Sequence, residues 1–511
     1  MTTTPVRPEA PVERGRDRRT ASVLALAAFE ARQLALQIPT VFFGLLYLAY
    51  AGYELFGRNE GMDAYPVLHD TDRATQGGPV LLCIALLVCV NRAALLNRRR
   101  GLEEQFSVLV MTAPRRTLAH ALSVVPFAAG VALVVGVQFT WAALRPGAVG
   151  HGSLAELAVA PLTVLLSGVV GVLLARALPN PAAPLLFVVA LVVVFSLVGG
   201  VTGGAHGVQW LWPTVLENGG TPVPGELLGR PAGWHALYLA GLTVLVAGIA
   251  VLVAGGRTRT LKAVTALALA ATVAGAAGQT PGESAALRAA RKAEADSPQK
   301  FQVCVERDGS RYCAYPDWKG WTADWAGVVH RVRSEAGGEA ATTRLTIRQR
   351  IEQITDLTTD ATLPTSSSRG TVTVGTQWGG NRVPEFAVGV ARVLVAGSEQ
   401  SSTEMCDARV VTTMWLALAT DPTPESTFRH LRIDDTLAGS GQVLTPEGGS
   451  MGVSAHQTQV VRELLREPHD TVTARVKAHW AELTSARTTT AEAARLLGVT
   501  APKGADDCGT G

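Results

Sequence analysis

The sequence predicts an α-helical polytopic membrane domain of six to seven transmembrane helices, followed by a C-terminal α+β soluble domain. Hydrophobic residues make up 48% of the 511 residues, and nearly all of the long apolar runs lie before Gln279. A helix of about 20 apolar residues crosses the hydrocarbon core of a bilayer, and the runs approach that length. After Gln279 the composition is that of an ordinary soluble protein. The lipid bilayer is therefore an expected partner.

The membrane half contains seven apolar runs of the length that a span requires. Ionisable residues are nearly absent from them, as hydrocarbon demands. The second run is short, but it continues as apolar helix to Leu96. A soluble core of seven buried helices, the alternative, would not repeat such runs at this spacing. The runs cover residues 40–56, 78–90, 120–142, 157–175, 183–201, 234–254 and 261–277.

The basic residues in the loops indicate how the chain is oriented. With the N-terminus in the cytoplasm, sixteen Lys and Arg residues lie on the inside of the membrane. The outside loops hold four basic residues, Arg58, Arg73, Arg145 and Arg230. Since cytoplasmic loops are enriched in Lys and Arg, we expect a multi-pass plasma-membrane protein with a cytoplasmic N-terminus. Four basic residues also follow the seventh run, so six or seven spans remain open. The net charge of +3 gives no reason to expect nucleic acid as a partner.

Residues 1–37 form a predicted cytoplasmic basic tail and interfacial helix. In a helical projection Arg19 and Glu30 share one face, while Val23 and Leu34 avoid it. An amphipathic helix of this kind lies along the inner leaflet before the first span. A twin-arginine signal peptide that begins at Arg18 is the alternative, but charged residues interrupt its apolar stretch.

The cytoplasmic loop 92–116, within the transmembrane domain 38–278, carries a short helical pattern. Leu102, Phe106, Leu109 and Ala113 form one narrow apolar stripe, and Pro114 ends the helix. A short amphipathic helix on the cytoplasmic face is suited to docking into a groove of another protein. The alternative is a surface loop that only caps the second span.

An R-R-R-G-L-E-E-Q loop that ends in A-P-R-R, an interfacial helix and six spans together resemble an ABC-2-type ABC transporter permease of the actinobacterial kind. The resemblance covers residues 22–254. It implies an exporter subunit whose loop couples to a separate ABC ATPase subunit, and which pairs with a second permease subunit as a homo- or heterodimer. No G-x-x-x-x-G-K-[ST] phosphate loop occurs in the sequence, so ATP hydrolysis is expected from the partner chain. Neither a cofactor nor a catalytic residue is expected here.

The chain after the membrane domain divides into a linker, residues 279–300, and the soluble domain 301–511. A helix is expected at 283–295 inside the linker. Two short strands, 301–305 and 312–315, flank Asp308-Gly309, which is a hairpin signal. Strands and helices between 344 and 396, a buried helix at 408–419 and a terminal helical group at 457–497 complete the domain.

Four cysteines in the soluble domain allow three disulfide connectivities. We favour the pair Cys304–Cys313, because both residues flank the predicted hairpin, and this leaves Cys406 with Cys508. A zinc site is the alternative, but no C-x-x-C is present. Because disulfides persist outside the cytoplasm, the cysteines predict an extracytoplasmic domain.

The soluble domain also contains a possible hydrolase motif. G-G-S-M-G around Ser450 matches a nucleophile elbow, and Asp470 and His479 follow in the right order, but the preceding segment is a poor strand. The stretch 303–316 is faintly similar to the start of peptidase-like domains that are fused to some ABC-2-type permeases. No H-E-x-x-H is present, so a zinc peptidase site is not expected. A membrane-anchored envelope hydrolase and a ligand-binding sensor stay as alternatives to the permease.

Overall fold

The computed structural model describes residues 14–99, 111–202, 208–215, 222–351, 365–433 and 439–503 of the chain. The fold of this part of the chain is mostly helical, and two small β-sheets follow the membrane half. Within these ranges, five helical segments are long and apolar enough to cross a membrane. They are Ile38–Phe56, Ala113–Ala143, Leu154–Ala177, Ala232–Val253 and Arg259–Gln279.

The described part of the first half is helical, and every predicted apolar run coincides with a helix. The helices are α1 (Arg14–Ala35), α2 (Ile38–Phe56), α3 (Leu68–Ala74), α4 (Val80–Arg99), α5 (Ala113–Leu122), α6 (Val125–Ala143), α7 (Leu154–Ala177), α8 (Ala183–Thr202), α9 (Gly225–Leu228), α10 (Ala232–Val253) and α11 (Arg259–Gln279). Helices α4 and α8 contain the second and fifth runs and have 20 residues each, which is about 30 Å of helix.

The third predicted run is divided between two helices. Helix α5 ends at Leu122, and α6 begins at Val125 with Pro126 in its first turn. Proline lacks an N–H and is accommodated in the first turn of a helix, so a new helix begins here. His120, the first residue of the predicted run, therefore belongs to the preceding helix.

Helix α7 lies at the centre of the membrane half and packs against α4, α6 and α10. A side chain at Gly171 would stand 2.6 Å from the carbonyl oxygen of Leu87, so the backbones of α4 and α7 approach closely there. The side chain of Asn91 donates to the Gly171 carbonyl at 3.2 Å across the same contact. Helices α2, α8 and α11 instead expose apolar side chains such as Phe42 and Leu267, as lipid-facing helices do.

Helix α1 packs mainly against helix α5. Val23 and Ala27 are buried against Ala119 of α5, and the Glu30 carboxylate is 3.8 Å from the imidazole of His120. Other apolar side chains of α1, among them Phe29, are exposed. A helix with one face on protein and a second apolar face exposed has the character predicted for the interfacial helix.

The C-terminal region contains a four-stranded sheet with strand order β1-β2-β3-β4. Strands β1 and β2 are antiparallel, whereas β2, β3 and β4 are parallel, so a helix connects β2 to β3. All four residues of β4 are buried, as expected of a strand covered on both faces. The elements are β1 (Val303–Arg307), β2 (Ser310–Ala314), α13 (Thr322–Glu335), β3 (Thr346–Gln349), β4 (Thr371–Val374) and α14 (Arg382–Ala396).

A helical group and a small antiparallel sheet, of order β5-β6-β7, complete the region. Its central helix, α15, is buried along its whole length except at Arg409. The elements are α15 (Ala408–Leu418), α16 (Pro424–Leu431), β5 (Arg432–Ile433), β6 (Gly441–Leu444), β7 (Ser450–Val453), α17 (Ala455–Leu464), α18 (His469–Ala478), α19 (Trp480–Leu483) and α20 (Thr490–Leu497). The predicted hairpin, the helix at 408–419 and the terminal helices are confirmed.

The helix expected in the linker is present as α12 (Ala285–Asp296). It is packed rather than extended, because Arg291 donates from Nε to the Leu227 carbonyl at 2.8 Å and pairs with Glu283. Glu294 is buried on the other side and accepts a hydrogen bond from the hydroxyl of Tyr315. Burial raises the pKa of Glu294. The segment therefore ties the membrane half to the sheet domain.

Candidate functional site

The C-terminal domain packs onto one end of the membrane helices through two buried tryptophans. Trp318 and Trp321 lie in the short 3₁₀ helix Pro316–Trp321. The indole N–H of Trp321 donates to the Gly147 carbonyl at 2.8 Å, and its ring meets Tyr65 edge-on at 6.0 Å. Trp318 packs in the same way against His69 at 5.7 Å. The loops between α2 and α4 and between α6 and α7 therefore belong to the hydrophobic core of the domain.

Two glycine-containing turns, one with Gly61 and one with Gly379 and Gly380, meet where the C-terminal domain contacts the membrane half. This contact is called the seam below. Gly379 has a φ of +88°, and a side chain there would overlap the Gly61 carbonyl oxygen and approach the Tyr65 ring to 2.6 Å. Gly61 itself has a φ of +64°, but a side chain at this position would have ordinary contacts with Gly380 at 3.6 Å. Only a residue without a side chain fits at Gly379, so the two backbones can touch.

A cavity of about 390 Å³ lies beside this seam. Its walls come from the ends of α2 and α6, from the loop that contains α3, and from the C-terminal domain. Four aromatic side chains line it: Tyr50, Tyr65, Trp141 and Trp378. Ligand cavities are concave, mostly apolar and equipped with few polar groups, so this cavity is the candidate functional site.

The polar wall of the cavity is an ordered set of ion pairs. Arg58 pairs with Glu54 at 3.1 Å and with Asp63 at 2.9 Å. Arg145 donates to the carbonyls of Arg58, at 2.9 Å, and Asp63, and to the Asn59 side chain at 2.8 Å. Because each guanidinium is held by more than one acceptor, the geometry of the wall is fixed before any ligand enters.

A buried polar network lies next to the cavity, in the bundle end. The Arg73 guanidinium pairs with Glu156 of α7 at 3.1 Å, and both side chains are less than 10% exposed. Gln76 donates to the same carboxylate at 2.5 Å. Breaking a buried pair by removal of one charge is strongly destabilising, so the network fixes the α3 loop on the end of α7.

The network continues to helices α10 and α11 through Trp210. The guanidinium of Arg73 lies 4.7 Å from the centre of the Trp210 ring, a cation–π contact. Nδ1 of His235 is 3.1 Å from the Trp210 carbonyl and 3.0 Å from the side-chain oxygen of Gln279. The Trp210 side chain is buried, with 6% exposure, and its ring covers the Arg73 guanidinium.

The loop helix α3 carries two buried titratable groups. Burial raises the pKa of Asp72 to about 7, although the backbone N–H of Ser153 donates to this carboxylate at 2.7 Å. Burial also lowers the pKa of His69, whose carbonyl accepts a hydrogen bond from Arg230 at 2.5 Å. Both shifts favour the neutral form of a group that lies where the two halves meet.

The sequence-predicted docking and disulfide residues have different outcomes. Leu102, Phe106 and Leu109 lie outside the described residues, and Ala113 is the first residue of α5. Cys304 and Cys313 form a disulfide with an S–S distance of 2.07 Å, so this pairing is confirmed. Cys406 is disulfide-bonded, and its predicted partner Cys508 lies outside the described residues.

The hydrolase motif has a different geometry from a nucleophile elbow. Ser450 opens β7, which follows β6 in an antiparallel hairpin. An elbow requires a strand, a sharp turn and then a helix, with the serine at the turn. Asp470 lies next to the imidazole of His469 at 3.1 Å, and His479 next to Glu482 at 3.7 Å. In the described ranges, no group of three or more His, Cys, Asp or Glu side chains could hold a metal ion.

The cavity and the network consist of residues that the sequence analysis did not bring together. Arg73 and Glu156 are 83 positions apart, and no local pattern links them. One signal was present: the four basic residues of the loops predicted to lie outside are Arg58, Arg73, Arg145 and Arg230, and all four make ion pairs or hydrogen bonds in this region. Where one side of a membrane protein holds few charged residues, those residues are candidates for specific pairing.

No protein-family model, curated protein or solved structure matches the chain.

Proposed function

We propose that this chain is the membrane-spanning permease subunit of an ATP-driven ABC exporter of the ABC-2 type. Helices α4 and α5 flank the predicted docking segment, and α4, α5 and α6 all pack on α7. The opposite end of α7 holds the buried Arg73–Glu156 pair beside the cavity. This arrangement carries the proposal, because it joins the segment that would meet an ATPase to the end where substrate would leave.

The sidedness of the proposal follows from the four outside arginines. They lie at the end of the bundle on which the C-terminal domain packs, which is the end poor in basic residues. Under the positive-inside rule this end faces the cell exterior. The domain is then extracytoplasmic, the N-terminus is cytoplasmic, and α11 is the seventh span.

Helix α11 supports that span count. It has 21 residues and packs closely along α10 at glycine positions. A side chain at Gly275 would stand 2.6 Å from the backbone nitrogen of Tyr238. With α4 and α8 counted as spans, seven helices cross the bilayer. Two such subunits, identical or different, would enclose the transport path, and the C-terminal domain would act as a binding or assembly module.

The docking test uses the predicted stripe in loop 92–116. Phe106→Ala should weaken association with the ABC ATPase and uncouple transport-stimulated ATP hydrolysis while membrane insertion stays intact, because truncation of a central anchor often costs about 2 kcal/mol or more. Glu104→Ala, on the other face of the same predicted helix, is the matched control and should have the weaker effect. Co-purification and ATPase assays in membranes measure both. Unchanged association in both variants would remove the docking role and, with it, the main support for a permease.

The sidedness test uses the C-terminal disulfide. After mild reduction of intact cells, a membrane-impermeant maleimide should label Cys304, whose side chain is partly exposed, since the domain faces outward. Cys83 and Cys89 are buried in α4 and should give no signal, so they set the background. Labelling that appears only after lysis would place the domain in the cytoplasm and contradict the seventh span.

A further inference from the structure

The lining of the cavity beside the seam contains more carboxylates than guanidiniums. Three carboxylates line it, Glu54, Asp63 and Asp70, against two guanidiniums, those of Arg58 and Arg145. A third guanidinium, that of Arg230, reaches Asp70 at 3.2 Å from outside the lining. An ionised carboxylate accepts about four hydrogen bonds, so these three groups retain accepting capacity after their ion pairs are made.

The two guanidiniums of the lining and the hydroxyl of Thr71 are committed to the protein. Arg58 donates from Nε to Asp63 and from Nη1 to Glu54, and Arg145 is directed at backbone carbonyls and at Asn59. The hydroxyl of Thr71 donates to the Val67 carbonyl at 3.0 Å. A ligand that only accepts hydrogen bonds would compete with these contacts, whereas a ligand that donates would find free lone pairs.

The remaining walls are aromatic and apolar. Tyr50 and Trp141 are 45% and 44% exposed at the ends of α2 and α6, and Leu55 also lines the cavity. The faces of aromatic rings attract cations, and tryptophan does so most strongly. Because these walls continue the apolar surfaces of two candidate spans, an apolar group can lie along them while a polar head reaches Glu54.

We propose that the cavity binds an organic ammonium with an apolar body, the head at Glu54 and Asp70 and the body against Tyr50, Leu55 and Trp141. An ammonium has three donors and no acceptor, which matches the free lone pairs, and its charge is complementary to the ring faces. Only the role of the ligand rests on the proposed function: in a permease this ligand is the exported substrate. An amine-headed phospholipid and a free lipophilic amine share this chemistry.

Matched probes of equal chain length test the sign of the head group. Octylammonium and octanoate are titrated calorimetrically into the purified full-length protein in maltoside micelles, with protein-free micelles subtracted. The Kd of octylammonium should be at least about tenfold lower than that of octanoate. Equal or tighter binding of octanoate would overturn the proposal.

Two variants test the location. Glu54→Gln and Trp141→Leu should each weaken octylammonium binding several-fold. Glu60→Gln, in the loop that follows α2 and outside the lining, and Trp234→Leu, an exposed tryptophan at the start of α10, are the controls and should bind as the wild type does. Size-exclusion profiles verify folding, and both cavity side chains are partly exposed, which favours intact variants. Wild-type binding in both cavity variants would also overturn the proposal.

Lipid analysis of the same preparations separates the two sources. Phosphatidylethanolamine that co-purifies with the wild type but not with Glu54→Gln identifies a lipid head group as the occupant. Octylammonium binding without a co-purifying amine lipid identifies a free amine, and either result supports the site. If octylammonium binding depends on Glu54 but both loop variants leave ATPase association unchanged, the site is supported and the permease function is refuted.

Discussion

Gly379→Ala tests whether the C-terminal domain is fixed on the membrane half. The native φ of +88° disfavours any residue with a Cβ, at a cost of about 1–2 kcal/mol. The new methyl group would also overlap the Gly61 carbonyl oxygen and stand 2.6 Å from the Tyr65 ring. Backbone atoms cannot rotate away as a flexible side chain can, so separation of the two turns adds about 1–3 kcal/mol.

Two controls separate strain from overlap. Gly397→Ala has nearly the same φ, +89°, but its Cβ would meet nothing closer than 3.9 Å. Gly61→Ala lies at the seam itself, has a φ of +64° and would have its nearest contact at 3.6 Å. Both substitutions should cost only the backbone term of about 1–2 kcal/mol. The difference of about 2 kcal/mol belongs to the seam and is absent from both controls.

Differential scanning fluorimetry of the purified protein measures this difference. An extra 2 kcal/mol lowers the Tm by about 4–8 °C in a unit of 150–250 residues. Limited proteolysis should also release the C-terminal domain earlier in Gly379→Ala than in either control, because the junction opens. If all three variants melt together and are cleaved at the same rate, the two turns do not touch and the seam is wrong.

The other predictions concern buried charges. Glu156→Gln removes the carboxylate that pairs with the buried Arg73 guanidinium and should cost about 3 kcal/mol or more, measured as a loss of thermal stability; Glu306→Gln breaks a mostly exposed pair with Arg344 and should cost less than about 1 kcal/mol. An equal loss in both variants would contradict the burial of the first pair. Because the folded-state pKa of Asp72 is raised to about 7, its contribution to stability is fully present below its ordinary pKa of 3.8 and is lost as pH rises through about 7. The Asp72→Asn variant should therefore lose less stability than the wild type between pH 4 and 8, and parallel Tm-against-pH curves would refute this.

The buried network changes how the membrane half is understood. From the sequence, ionisable residues are nearly absent from the apolar runs, and no local pattern links Arg73 to Glu156. In the structure, Glu156, Arg73 and Gln76 form one connected cluster, and His235 joins it through Trp210. These groups lie at the bundle end under the C-terminal domain, so this end is built to keep charges away from both lipid and water.

The sequence by itself determined the helices of the membrane half, because hydrocarbon imposes a length and a composition that can be counted residue by residue. It also indicated the hairpin, and the pair Cys304–Cys313 was favoured among three connectivities because both cysteines flank the Asp-Gly turn. Such features depend on neighbours along the chain or on a uniform environment, and local sequence carries that information.

Tertiary structure alone decided where the cavity lies and which charges meet. Arg73 could pair with any acidic residue of its side of the membrane, and the packing of α3 on α7 selected Glu156. The pairing of Trp321 with the Gly147 carbonyl joins residues 174 positions apart. A contact of this kind is specified by the shapes of two surfaces that exist only after both halves have folded, and each surface is assembled from short segments with no periodicity of their own. For this reason the sequence contained every residue of the site but not the site itself.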